Sequence, residues 1–170
     1  MSSDKKHEQI DEQLLAAAKA EGLHTAIETC SFAGRAAVDK VFRHVDLGLL
    51  DIKHMDSETH KKLTGVPNEQ ILDNIRYIHR ELNGHVMISL PTIPGYNDSD
   101  ENIAATAKFV AEELGCDVKI RLLPYHRLGE SKNESLGKEM DMSIEVPSDE
   151  HMQRLKALVE SFGVECQIGG

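Results

Sequence analysis

Short apolar runs alternate with helix-patterned segments along this chain, and that alternation constrains the fold more than any other feature. Residues 23–29, 45–53, 85–90, 118–123 and 164–168 read as strands. Between and before them, apolar residues at helical spacing predict helices over 5–21, from the Ser31-Phe32-Ala33-Gly34 turn to about Arg43, and over 57–63, 68–82, 97–114 and 148–162. Gly22 and Gly115 read as helix stops, Ser57, Asn68, Asn97-Asp98 and Ser148 as caps, and Pro91 with Pro94 as the break after the third strand. Strand and helix recurring every 25–45 residues or so is the pattern of parallel β/α architecture. No repeat, low-complexity tract or linker divides the chain, so residues 1–170 are expected to form a single domain, with 127–147 its longest irregular part. A helix leads, which reads as a start inside a β/α unit. Five strands are too few for an eight-stranded barrel, and no glycine-rich phosphate loop opens a doubly wound sheet. An open partial barrel, or a piece of one, is the α/β fold that remains.

Composition removes whole classes of partner. The net charge is −10, from 29 acidic and 19 basic residues, whereas nucleic-acid binding rests on clustered lysine and arginine. No apolar stretch approaches the roughly 20 residues that span a bilayer, and the polar start is not expected to act as a secretory signal. Cys30, Cys116 and Cys166 stand 86 (116 − 30) and 50 (166 − 116) residues apart, without metal-ligand spacing or an even count for disulfides. They read as reduced thiols in a cytoplasmic protein, and no metal site is expected from them.

Parallel β/α folds keep their chemistry at the C-terminal edge of the strands. The first strand ends there in Glu28-Thr29 and the second in Asp51-Ile52-Lys53, whose acid and amine are two apart and face one side. The third carries Ser89 and turns at residues 91–95; the fourth delivers Tyr125 and His126 on a proline-turned loop. The helix after Asn97-Asp98 points its N-terminal amides the same way, which favours anions. Seven of the nine histidines have no convergent partner and are expected to be solvated. Spacing therefore predicts a strand-end site with two carboxylates, a lysine and a histidine, and does not choose the reaction. Lys53 inside a barrel would also suit a Schiff-base, aldolase-like enzyme, and a non-catalytic nucleoside-binding module fits the same residues.

Ordered pieces of sequence then carry a resemblance: Glu28-Thr29-Cys30-Ser31-Phe32, Leu50-Asp51-Ile52-Lys53, His60, Leu63-Thr64-Gly65, Pro94-Gly95-Tyr96-Asn97-Asp98, and Leu122 to Gly129 with Lys132 and Leu136-Gly137. From about Leu14 to Gly170 the chain resembles the C-terminal part of the radical S-adenosylmethionine enzymes that activate glycyl-radical enzymes, typified by the pyruvate formate-lyase activating enzyme. The resemblance implies a fragment of a partial (β/α)6 TIM-like barrel, with outer helices and an open edge where the N-terminal part is missing. It implies S-adenosylmethionine and a [4Fe–4S] cluster as cofactors of the parent oxidoreductase. It also implies a glycyl-radical enzyme such as pyruvate formate-lyase as partner and flavodoxin as electron donor. Glu28, Thr29 and Asp51 match acids and a threonine near the amino-acid end of the cofactor and a bound monovalent cation. Lys53 matches a cofactor-contacting lysine, and His126 a histidine near the sulfonium and ribose.

The chain departs from that pattern in identifiable places. The Cys-x3-Cys-x2-Cys loop that holds the cluster is absent, as is the glycine-rich strand end that would grip the methionyl amine. Ser89 stands where family members commonly carry an arginine, which leaves one charge contact to the cofactor unaccounted for. Glu28 stands for an aspartate, and Cys30-Ser31 for a small pair. No cluster and no radical chemistry are expected from this chain alone, and no catalytic residue is assigned. The exposed edge of its first strand is expected to favour self-association.

Overall fold

A computed structural model describes residues 3–82, 84–126 and 144–169. Arg127, Leu128, Gly129, Lys132, Leu136 and Gly137, which contribute to the resemblance, lie outside the described residues. Five strands, β1 (Ala26–Thr29), β2 (Leu47–Asp51), β3 (Val86–Thr92), β4 (Lys119–Pro124) and β5 (Cys166–Ile168), form one parallel sheet in the order β1-β2-β3-β4-β5. The helices are α1 (Ser3–Ala20), α2 (Arg35–Phe42), α3 (Ser57–Thr64), α4 (Glu69–Arg80), α5 (Asp100–Phe109) and α6 (Asp149–Glu160). Each strand pairs with the next in sequence, and right-handed crossovers between such neighbours put every connecting helix on the same face. Among the described residues the other face stays open, and β1 and β5 are the two edges of an unclosed sheet.

The covered face is the core. Leu50, Ile88, Leu90, Ile120 and Leu122 are completely buried against the helices. Ile71, Ile75 and Ile78 of α4 lie three and four residues apart, so all three meet the sheet. Each such side chain contributes about 1.5–3 kcal/mol by leaving water. At the end of α5 the chain widens into a π-helical turn over Val110–Leu114, where the sequence suggested uninterrupted α-helix. Gly115 closes it through its amide to the Val110 carbonyl at 2.8 Å, with φ +106. A Cβ there would meet the Asp117 carboxylate at 2.7 Å, which that exposed side chain can relieve by turning, so it is the backbone angle that favours glycine.

Several local expectations need correction. β3 is not broken at Pro91 but runs on to Thr92. Ser89 bonds toward β2 through its carbonyl to Ile52, and Pro91, two residues on, points its ring nitrogen the same way, past the end of β2 at Asp51. The missing N–H therefore has no strand partner to lose. The side-chain caps are Asp56 for α3 and Ser99 for α5, each accepting a backbone amide; Asn68 stands at the N-cap position of α4 as expected but its side chain makes no capping bond, and Asn97 lies ahead of the α5 cap. Ser148 caps α6 as expected. His60 is not solvated: it is buried, and its Nδ1 lies 2.7 Å from the Val66 carbonyl, closing the turn after α3.

Candidate functional site on the open face

Alternation along a strand sorts these residues without ambiguity. Glu28, Leu49, Asp51, Met87, Ser89 and Arg121 fall on the open face, because Ile27, Leu50, Ile88 and Ile120 fall on the helix-covered one. Asp51, Ser89 and Arg121 are register partners across β2, β3 and β4, so they form one row near the C-terminal edge. Arg121 Nη2 donates to Ser89 Oγ at 3.0 Å and to Glu28 Oε1 at 2.8 Å. Three strand spacings in a flat sheet come to roughly 14 Å. The long side chains of Arg121 and Glu28 span that distance and tie β4 to β1 across this face.

Asp51 Oδ2 accepts from Lys53 Nζ at 2.7 Å. Its Oδ1 is buried and, among the described residues, has no partner, and Arg121 Nε is in the same condition. An orphaned buried polar atom costs on the order of 1–3 kcal/mol, and this row holds two of the four such atoms found among the described residues, the others being Ser31 Oγ and His79 Nδ1. Lys53 also forms one wall of a largely apolar cleft of about 340 Å³, shared with Leu63, Thr64, Ile93 and Tyr96. That is within the usual size of a small-molecule site.

The backbone after Lys53 is held by three buried asparagines. Asn97 donates to the carbonyls of Lys53 at 3.0 Å and Pro91 at 2.6 Å, and accepts from Ile93. Asn102 accepts from the Met55 amide, and Asn68 donates to the carbonyls of His54 and Met55. Asparagine at a helix start reads in sequence as a cap; burial is what shows the loop clamp.

Of the predicted site residues, Glu28, Asp51 and Lys53 share the open face. Thr29 does not point there. Its side chain sits on the opposite side with Ile27, Ser31 and Val38, and its Oγ1 accepts from the Ser31 amide. His126 is exposed, two residues beyond β4, after a Tyr125 whose amide bonds to the Thr92 carbonyl. Among the described residues no contact joins it to Lys53. Sequence reasoning misses Arg121, because a lone arginine inside an apolar run resembles a solvated position.

Comparison with known proteins agrees with this geometry. The family model described as the Radical SAM superfamily matches residues 4–107. The solved domain of a pyruvate-formate lyase-activating enzyme from Bacteroides vulgatus superposes with a TM-score of 0.80 at 31% identity, covering 100% of this chain and 96% of that one. The chain belongs to the radical S-adenosylmethionine family of glycyl-radical enzyme activases. It is 41% identical over 165 residues to a 4-hydroxyphenylacetate decarboxylase activating enzyme of Clostridioides difficile (strain 630), which covers 96% of this chain and 51% of that protein. An isethionate sulfite-lyase activating enzyme of Nitratidesulfovibrio vulgaris is 40% identical over 147 residues, 86% of this chain and 47% of its own. This activase chain thus spans about half the length of the curated relatives it matches.

Enzymes of the family use S-adenosylmethionine and a [4Fe–4S] cluster. The residues present fit the first and not the second. The open-face row offers both an acceptor and a donor for an amino-acid group. The thiols, by contrast, are dispersed: Cys30 follows β1, Cys116 precedes β4 at the other end of the sheet, and Cys166 is buried on β5. The three do not meet, so they cannot together ligate a cluster. Among the described residues no helix is long and apolar enough to cross a membrane.

Proposed function

We propose that this chain supplies the S-adenosylmethionine-binding face of a glycyl-radical enzyme activase, and that it is inactive by itself. The observation that carries the reading is the Asp51–Lys53 pair at the C-terminal end of β2, with Asp51 Oδ1 buried and unpartnered on the open face. A ligand ammonium would satisfy that oxygen. Glu28 adds a second carboxylate, Thr29 a strand-end carbonyl beside it, and His126 a polar group for the nucleoside end. In the family the bound cofactor supplies a 5′-deoxyadenosyl radical on one-electron reduction; the work of this chain's residues is to hold and orient the molecule and to shield it.

The partner is a glycyl-radical enzyme. Pyruvate formate-lyase is the member suggested by the sequence resemblance and by the name of the Bacteroides vulgatus domain; the curated relatives are named for a decarboxylase and a sulfite-lyase. Flavodoxin is the proposed electron donor. Calorimetry with S-adenosylhomocysteine tests the binding role: wild type binds, and Lys53→Ala weakens binding by roughly tenfold or more, the scale of one charge-assisted contact. Equal heats for both proteins would overturn the reading. A longer protein that includes this chain and a cysteine loop, reconstituted anaerobically with iron and sulfide, is expected to release 5′-deoxyadenosine and to place a glycyl radical on one of those three partner classes.

A further inference from the structure

We propose that Arg121 is the carboxylate-binding residue of this site, receiving the amino-acid carboxylate of the ligand whose ammonium goes to Asp51. This rests on the binding reading above and assigns a residue that neither spacing nor the resemblance picked out. The guanidinium is largely buried, yet among the described residues only Nη2 is engaged and Nε has no partner. Its acidic partner Glu28 is more than half exposed, so water screens that bridge and leaves the guanidinium incompletely matched. The unpartnered donor of Arg121 and the unpartnered acceptor of Asp51 flank Ser89 in one register row. Ser89 is short and fully buried, which leaves its place in the row to the side chains on either side. A molecule carrying an ammonium and a carboxylate a few ångströms apart answers both orphans at once, its carboxylate accepting a charge-assisted bond from Arg121 Nε. Lys53 is shared with Asp51, so it is not by itself a full partner for a carboxylate.

The alternative is that Arg121 is only a strut tying β4 to β1. Calorimetry separates the two by comparing S-adenosylhomocysteine, which has the amino-acid end, with methylthioadenosine, which lacks it. Arg121→Gln is expected to weaken the first by roughly 10–100-fold, the scale of losing a charge-assisted contact, and to leave the second unchanged. Arg121→Lys falls between, and the exchange Ser89→Arg with Arg121→Gln recovers most of the preference. If Arg121→Gln binds both nucleosides with the wild-type preference, or only lowers the melting temperature, the proposal is overturned and the binding reading stands. If wild type binds neither nucleoside, both are overturned. Should Arg121→Gln fail to fold by circular dichroism, Arg121→Lys decides, and an unchanged preference there overturns the proposal.

Discussion

Two aspartates bracket β2, Asp46 just before it and Asp51 as its last residue, and the chain uses them in opposite ways. At the N-terminal end, Asp46 has both oxygens engaged: Oδ1 by Lys19 Nζ at 2.6 Å, Oδ2 by the Thr25 amide at 2.8 Å and hydroxyl at 3.0 Å. At the C-terminal end, Asp51 has one oxygen on Lys53 and the other buried without a partner. The same side chain, five residues along one strand, closes the structure at one edge and leaves it unsatisfied at the other. Parallel β/α sheets concentrate stability at the first edge and chemistry at the second. Substitutions at the two ends should therefore fall on different measurements.

The strongest perturbation is the one that ought to ignore this division. Ile88 lies in the central strand on the helix-covered face and is fully buried. Ile88→Ala is expected to cost about 2–5 kcal/mol in urea unfolding, through lost transfer energy and a cavity. Affinity for S-adenosylhomocysteine per folded molecule should hardly change. A loss of affinity matching the loss of stability would mean that the two faces are not separable.

Thr25 comes next, at the closed end. It is buried, donates to the His44 carbonyl at 2.6 Å as well as to Asp46, and accepts from the Asp46 amide. Thr25→Val keeps the shape and strands those groups, at about 1–3 kcal/mol, with ligand binding intact. Acid attacks the same cluster. The hydrogen bond from Lys19, then that from the Thr25 amide, holds the Asp46 carboxyl well below the usual range. A depressed folded value means that its contribution is present above the unfolded value near 3.9 and is lost as pH falls through the folded one. Melting temperature should therefore drop between about pH 5 and pH 2. Asp46→Asn should start lower and drop less, with the residual slope coming from Glu113, lowered by Arg76, Asp56, lowered by Thr59, and Glu69, lowered by Ser57. Parallel slopes for the two proteins would remove Asp46 from the account.

The closed end and the covered face are legible in sequence because burial leaves a period. Strands at 23–29, 45–53 and 118–123 stand out as apolar runs, and Ile71, Ile75 and Ile78 as a helix stripe. Errors fall where one residue type serves two purposes. Asn68 and Asn97 look like caps in any one-dimensional reading, and only the folded chain reveals that their amides clamp the loop behind Lys53. Pro91 looks like a strand breaker unless the neighbouring strand is known to stop first. Thr29 looks like a partner of Glu28, although period two sends it to the other side. Arg121 is hidden for a different reason: its meaning lies in the register with Ser89 and in the bond to Glu28 that ties β4 to β1. Register is set by how strands pack, and no local pattern encodes it.

The smallest expected effect on stability is the most discriminating. Asp51→Ala removes a carboxylate, and by ordinary reckoning the loss of an ion pair in a folded protein should weaken it. Here the substitution also removes an oxygen that is buried without a partner, while Lys53, about one-third exposed, can turn its ammonium to water. The two changes oppose one another, and a partly exposed pair is worth only about 0–1 kcal/mol. The unfolding free energy should therefore move by less than about 1 kcal/mol in either direction, while affinity for S-adenosylhomocysteine falls by roughly tenfold or more. A destabilisation as large as that of Thr25→Val would show that Asp51 holds the fold as Asp46 does, and the two ends of β2 would no longer be different in kind.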